Sequence, residues 1–297
     1  MGIKMDGKAL ADKICIDLKQ RCEKLKSKNL IPTIDIYTTD DDPIANMYLR
    51  SKLNRCQEIG IETVVKNCSE YDTLGIIRSI ANSINPVIIE EPVPSAIDKQ
   101  TLCEILVSHR DLDGWSMWNR AKLYSNTKPN FYPCTPKGIM RLLKEYNVEF
   151  EGKNALVIGR SDIVGHPIAW MLSQQGCTVT MAHSKTNESD LTNYAISADI
   201  IVSAVGKPNI IDFNEFNDEC FGMGEKILSD KVIVDVGMNF QDGILVGDFT
   251  ENFKSKAALW NSVRGCIGPM TTISLCENVL EFYEKRLMID GINLRAI

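Results

Sequence analysis

The chain has 297 residues, 44% hydrophobic and 24% charged, which is the balance of an ordinary globular protein and argues against a fibrous repeat or a disordered chain. At about 150 residues per domain, the length predicts two domains. The 33 basic and 39 acidic residues leave a net charge of −6. That argues against a nucleic-acid partner, while a local basic pocket can still take a small anion.

Lys8 to Lys26 carries apolar residues at helical spacing, at Leu10, Ile14, Ile16, Leu18, Cys22 and Leu25. Thr33 to Tyr37 reads as a strand broken by Asp40-Asp41-Asp42-Pro43, and Ala45 to Glu58 as a helix ending at Gly60. A strand over Glu62 to Lys66, a helix over Leu74 to Ser83 and a short apolar run over Val87 to Ile89 follow. This alternation favours a parallel sheet. The stretch from Asp111 to Pro136, with Gly114, Pro129, Pro133 and Pro136, reads as loop. Lys137 to Tyr146 reads as a helix. Strands at Asn154 to Ile158, Thr178 to Ala182, Ile200 to Ala204 and Val232 to Val236, with a helix over Ile168 to Gln175, set a Rossmann-like rhythm. A last helix is expected over Gly268 to Tyr283.

No apolar run approaches the ~18–20 residues of a membrane span, and the start of the chain has no signal-peptide core. Gly2 invites myristoylation, but Asp6 stands where that motif wants Ser or Thr. None of the ten cysteines forms a Cys-x-x-Cys pair, and Cys15, Cys22, Cys56, Cys103 and Cys177 lie in apolar patterns. Reduced core thiols and a cytoplasmic location are therefore expected, with no membrane partner. With three dispersed histidines, no metal site is expected.

The sharpest local signal runs from Ala155 to Pro167, where an apolar strand enters a turn at Gly159-Arg160-Ser161 and leaves through Val164-Gly165. Backbone N–H groups in such a turn can face a phosphate. Ser161 stands where a second glycine is usual, and taken alone the stretch also reads as an ordinary strand–turn–helix. The next strand ends in His183-Ser184-Lys185-Thr186, without the carboxylate that takes an NAD ribose. Ser184, Lys185 and Arg160 suit a 2′-phosphate, which favours NADP over NAD. Lys185 also reads as a solvated surface charge.

Taken together, these segments and several others resemble the methylenetetrahydrofolate dehydrogenase/cyclohydrolase family. The matching pieces, in order, are Asp41-Asp42-Pro43 with Tyr48 and Lys52, Asp111-Leu112-Asp113-Gly114, and Pro133-Cys134-Thr135-Pro136-Lys137-Gly138. They continue through the Gly159 turn, His183 to Thr186, Ala204-Val205-Gly206-Lys207-Pro208 and Val234-Asp235-Val236-Gly237-Met238-Asn239. Gly247-Asp248 and Gly268-Pro269-Met270-Thr271 complete the series.

The resemblance implies a two-domain α/β protein. It has an N-terminal folate-binding lobe (1–137), a Rossmann-like NADP-binding domain (138–268) and a C-terminal helix (269–297) that returns to the first lobe. It also implies a cleft between the lobes and a homodimer formed through the Rossmann domain. The implied chemistry passes a hydride from 5,10-methylenetetrahydrofolate to NADP, and water then opens the methenyl product to 10-formyltetrahydrofolate.

By the same resemblance Tyr48 packs on the aminobenzoyl part of the folate, Lys52 is the catalytic amine of the hydrolytic step, Asp113 holds the pterin, and Thr271 lies near the folate or nicotinamide end. Tyr48 and Lys52, four apart, share a helix face. Gly159, Arg160, Ser161, Val164, Gly165, Ser184, Lys185 and Met238 match nucleotide-contacting positions. His183 is read as structural, since hydride transfer here needs no protein base.

Two departures stand out. The family usually reads Val-Gln-Leu-Pro-Leu-Pro where this chain has Ile89-Glu90-Glu91-Pro92-Val93-Pro94, so Glu90 takes the Gln place beside Lys52. At ~4 Å an ionised Glu90 would attract the Lys52 ammonium by about 4 kcal/mol at an effective dielectric of 20. The ammonium is a poor general base, whereas a protonated Glu90 would mimic Gln. Further on, Arg264 replaces a Pro and Cys266 a Gly. Cys266 is expected to be strained if its φ is positive, and Arg264 could pair with Glu90, Glu91 or the substrate's glutamate tail. Rival readings are a dehydrogenase lacking the hydrolytic step, an inert folate- or nucleotide-binding relative, and an unrelated Rossmann oxidoreductase.

Overall fold

The computed structural model describes residues 2–39, 43–69, 71–211, 228–241 and 244–293. Asp41 and Asp42 of the first motif lie outside them. The chain divides into two compact units, one of Met1–Leu10 with Thr135–Met270 and the other of Ala11–Cys134 with Thr271–Ile297.

The second of these is built on a parallel three-stranded sheet in the order β3-β2-β4, formed by β2 (Thr33–Thr38), β3 (Glu62–Asn67) and β4 (Val87–Ile89). Ile34, Ile36 and Tyr37 of the central strand are buried, as expected of a strand covered on both faces. Helices α1 (Gly7–Lys26), α2 (Pro43–Ile59) and α3 (Thr73–Asn82) alternate with the strands. Asp72 caps α3 by accepting the Gly75 N–H.

The stretch expected to be loop contains α5 (Met117–Tyr124), which follows α4 (Lys99–Ile105) and is capped by Ser116 accepting the Asn119 N–H. A helix of eight residues buries too little of one face to show a period in sequence.

The other unit carries a six-stranded parallel sheet in the order β1-β11-β8-β7-β5-β6. Its strands are β1 (Ile3–Met5), β5 (Asn154–Ile158), β6 (Thr178–Ala182), β7 (Ile200–Ser203), β8 (Val232–Asp235) and β11 (Leu259–Asn261). The strand order reverses beside β5, which has β6 on one side and β7 on the other. That is where open α/β sheets bind their ligands. Helices α6 (Cys134–Glu145), α7 (Gly165–Gln174) and α8 (Glu188–Ser197) accompany the sheet, with a hairpin of β9 (Asn239–Gln241) and β10 (Ile244–Val246) and a short α9 (Glu251–Lys254). Its core includes Leu156, Ile158, Ile201, Ile233 and Phe249. The three-residue strands β1 and β11 are too short to leave a sequence signal.

The last helix, α10 (Ile267–Asn293), runs ten residues beyond the expected Tyr283. Tyr283 donates to the Thr33 carbonyl at 3.0 Å, and Arg21 pairs with Glu284 at 2.8 Å, which ties this helix to the three-stranded sheet unit. The nine described cysteines are buried thiols. Among the described residues no helix is long and apolar enough to cross a membrane.

Candidate active site

In the three-stranded unit, α2 carries Tyr48 and Lys52 one turn apart, both half-buried. Burial pushes the Tyr48 phenol up. Glu90 follows β4 and is buried; its backbone N–H donates to the Tyr37 carbonyl at 2.8 Å. Lys52 Nζ donates to both Glu90 carboxylate oxygens, with 2.6 Å to Oε1. The expected pairing is therefore present, and closer than the ~4 Å assumed from sequence.

The string Asp111-Leu112-Asp113-Gly114 separates two carboxylates of different kinds. Asp111 is buried, and it accepts the Trp115 and Ser116 N–H groups and the Asn119 amide at 2.7–3.1 Å. It is an internal anchor that sequence reasoning did not single out. Asp113 keeps some exposure, with Oδ1 accepting the Cys134 N–H at 2.7 Å and Oδ2 the Trp115 indole N–H at 3.2 Å. Protein atoms crowd its carboxyl, and this burial pushes it up to about 6; the Cys134 hydrogen bonds and the Lys52 charge pull the other way. Gly114, at φ +67, lets the chain turn beside Phe131 and Pro133, where a Cβ would sit 3.0 Å from the Phe131 carbonyl oxygen. Thr271, near the start of α10, is half-buried.

In the six-stranded unit, Gly159 directly follows β5 at φ +120, and its N–H donates to the Ala182 carbonyl at 2.9 Å. That bond brings the turn holding Arg160 to the end of β6, from which Ser184 and Lys185 follow. Arg160, Ser184 and Lys185 are all exposed. A Cβ on Gly159 would meet the Ala204 carbonyl oxygen at 2.5 Å, and one on Gly165 the Gly159 oxygen at 2.4 Å. Only glycine fits either place, so backbone lines the turn, which is the form of a dinucleotide cradle. The Ser161 hydroxyl, where a second glycine is usual, accepts the Val164 and Gly165 N–H groups at 3.2 and 3.3 Å at the start of α7. His183 accepts the Lys185 N–H on Nδ1 at 3.2 Å, so its ring shapes the turn. Met238, after β8, is exposed.

Two family models match the chain in order: the catalytic domain of tetrahydrofolate dehydrogenase/cyclohydrolase over residues 5–113, and its NAD(P)-binding domain over 133–287. The chain belongs to the tetrahydrofolate dehydrogenase/cyclohydrolase family. It is 34% identical to the bifunctional protein FolD of Campylobacter jejuni strain RM1221, across 95% of this chain and 99% of that one. It is 35% identical to the bifunctional protein FolD of Rickettsia massiliae, across 95% and 97%. Among solved structures, the bifunctional FolD methylenetetrahydrofolate dehydrogenase/cyclohydrolase of C. jejuni superposes with a TM-score of 0.87 at 33% identity, covering 96% of this chain and all of that one. The Trypanosoma brucei methylenetetrahydrofolate dehydrogenase-cyclohydrolase, complexed with NADP and an inhibitor, gives 0.86 at 25% identity, with 96% and 98% covered.

The departures from the family motifs have local explanations. The positive φ in the 262–268 loop falls on Gly265 (φ +76), and Cys266 is not among the described non-glycine residues with positive φ. The strain foreseen for Cys266 is therefore absent; its thiol is buried against the Met5 carbonyl at 3.5 Å, and burial pushes it up to about 11. Glu91 pairs with Lys99, and Arg264 lines a groove of about 590 Å³ with Lys4, Glu251 and the β10 strand.

The motif Val234 to Asn239 and the Gly247-Asp248 pair turn out to hold a buried polar centre. Asp235 accepts from Lys254 Nζ at 2.9 Å and from the Gly237, Asp248 and Phe249 N–H groups. Asp248 accepts from the Ser203 hydroxyl and from the Val205 and Lys207 N–H groups at 2.7–3.0 Å. Any Cβ on Gly237 would lie 1.9 Å from Asp248 Oδ1. Sequence reasoning missed Asp235, Asp248 and Lys254 as a group; the glycines beside the two aspartates were the available sign.

Proposed function

We propose that the chain oxidises 5,10-methylenetetrahydrofolate to 5,10-methenyltetrahydrofolate with NADP and then hydrolyses that product to 10-formyltetrahydrofolate. The observation that carries this reading is the ordered match of both family models. It agrees with Lys52, Glu90 and Asp113 standing in one compact unit and a glycine-walled turn standing in the other.

In this reading Asp113 accepts hydrogen bonds from the amino group and ring N–H of the pterin and fixes its orientation. Tyr48 packs against the aminobenzoyl ring, and Thr271 borders the folate. Gly159, Ser161, Val164 and Gly165 bring backbone close to the dinucleotide. Arg160, Ser184 and Lys185 take the 2′-phosphate, and Met238 covers the nucleotide. NADP, when bound, supplies the hydride acceptor. The bridge carbon loses hydrogen with its electron pair, so no protein base is needed for that step. In the second step water adds to the methenyl carbon, a carbon–nitrogen bond of the bridge opens and one proton is released overall. Lys52 handles that proton. Assembly as a homodimer through the nucleotide-binding unit and a cytoplasmic location complete the proposal.

A second reading, a dehydrogenase with weak hydrolysis, is favoured by the two-oxygen contact of Glu90 with Lys52. A carboxylate there favours the ammonium over the free amine. One series of assays tests both readings. Turnover is measured with NADP and NAD side by side, followed by hydrolysis of supplied methenyltetrahydrofolate above the uncatalysed rate, in wild type and Glu90→Gln. The main reading expects NADP-dependent oxidation and hydrolysis in wild type. The second expects slow hydrolysis that Glu90→Gln restores. Wild-type turnover of neither substrate would sink both.

A further inference from the structure

Asp113 is fixed from three directions within its own unit. The Cys134 N–H holds Oδ1 and the Trp115 indole N–H holds Oδ2, so one N–H sits on each oxygen and the rotation of the carboxyl plane is set. Trp115 is in turn fixed: its ring is buried and its backbone N–H donates to the Asp111 carboxylate at 3.1 Å. From α10, the buried Asn278 donates through Nδ2 to the Leu112 carbonyl at 2.8 Å and to the Tyr132 carbonyl at 3.3 Å. Leu112 directly precedes Asp113, and Tyr132 lies two residues before Cys134. A single amide therefore ties together the strand of chain that carries the carboxyl and the strand of chain that donates to it. A carboxylate has about four acceptor positions. The Cys134 thiol also reaches this carboxyl, with the Leu112 carbonyl as its other acceptor at 3.5 Å, so when the thiol turns to Leu112 capacity remains for a pair of ligand N–H groups lying in the same plane.

We propose that Trp115 and Asn278 are positioning residues for folate recognition: Trp115 sets the rotation of the Asp113 carboxylate, and Asn278 sets the backbone on which it stands. This rests on the reading that Asp113 orients the pterin. Side-chain rotation is the freedom a planar ligand punishes most, because both of its N–H groups must meet the carboxylate at once. The charged and titratable groups facing Asp113 are Lys52 from α2, Asp111 from the same loop and the Cys134 thiol. None of them replaces the indole donor on Oδ2.

The test is a mutant cycle on the full-length protein with folate and NADP kinetics measured across pH. Trp115→Phe keeps a buried ring and removes the N–H. Its expected effect is a rise of about tenfold in the KM for methylenetetrahydrofolate, from the loss of one hydrogen bond to a charged group. The KM for NADP stays unchanged. The acid limb of the kcat/KM profile moves toward neutrality, because a donor to the charged form is gone. In an Asp113→Asn background the same substitution is expected to add less than about twofold, as for residues that act through one another.

Asn278→Leu is expected to lower kcat for the folate and likewise to lose its effect in Asp113→Asn. Should that variant fail to fold, seen by thermal melting, the Trp115 cycle still decides. A damaging Asp113→Asn combined with a silent Trp115→Phe, or with one that is fully additive, overturns the positioning role alone. An Asp113→Asn protein with wild-type folate kinetics overturns the reading of Asp113 itself.

Discussion

In the segment between α4 and α6, Asp113 meets one N–H on each oxygen and keeps part of its surface open. In the six-stranded unit, Asp235 and Asp248 are sealed from solvent, and each is surrounded by several donors. Both regions set an aspartate beside a glycine turn, so their sequence strings look alike. What separates them is how far the protein itself satisfies the carboxylate. Saturated with internal donors, the group serves as a brace for the turns after β7 and β8. Partly satisfied, it is a fixed acceptor with capacity left for a ligand. Counting donors around each oxygen thus separates the two braces from the carboxylate proposed to face the folate, which the motif does not.

The strongest way to break this comparison is at the brace. Lys254 is fully buried against Asp235, and replacing it with Met leaves a buried carboxylate without its cation. Lys254→Met is expected to cost about 3–5 kcal/mol of stability, read as a fall in the urea midpoint. An unchanged midpoint would show that the backbone donors alone suffice.

The next effect belongs to Asp113, the carboxylate proposed to face the folate. Asp113→Asn should lower kcat/KM for the folate by about 100-fold with little change in melting temperature, since it removes a charge that burial disfavours. The wild-type profile of kcat/KM should rise with pH through about 6, where the Asp113 carboxyl ionises. A flat profile between pH 5 and 7 (roughly the span around that value) would show that ionised Asp113 is not needed.

The smallest effect sharpens the comparison through a third carboxylate. Burial alone would raise the Asp35 carboxyl, but hydrogen bonds from Lys66, Asn85 and Ser83 hold it below its usual range. A lowered folded value means that its stabilisation is complete above the unfolded value of about 4 and is lost as pH falls through the folded one. Asp113 has the opposite sign, because its raised value penalises folding as pH climbs from about 4 toward 6. Lys66→Met should therefore lower stability at neutral pH by about 1 kcal/mol and flatten its decline below pH 4, measured by melting across pH.

Much of the fold was legible in order along the chain. The apolar runs at Val87–Ile89, Asn154–Ile158 and Thr178–Ala182 coincide with β4, β5 and β6. The buried strands β4 and β5 announce themselves as nearly continuous apolar stretches, whereas the half-buried edge strand β6 shows through its β-branched residues. Helix α5 and the strands β1 and β11 were not legible, because eight- and three-residue elements carry too little pattern. At the candidate site, Lys52, Glu90 and Asp113 were visible through their motifs. Trp115 was not, because a tryptophan after a glycine turn carries no mark of where its N–H will point.

Local strings were enough to announce an α/β chain and a glycine turn after its fifth strand, since strand period and turn chemistry act over a few neighbouring positions, while the pterin role proposed for Asp113 came only from the resemblance of the ordered motifs to a family. Which aspartates became braces and which one stayed open was settled by partners far along the chain. Asn278 reaches Leu112 across 166 residues, and Cys134 reaches Asp113 across 21. Hydrogen bonds are short and directional, so a carboxylate's role depends on donors that only the folded backbone brings within 3 Å or so.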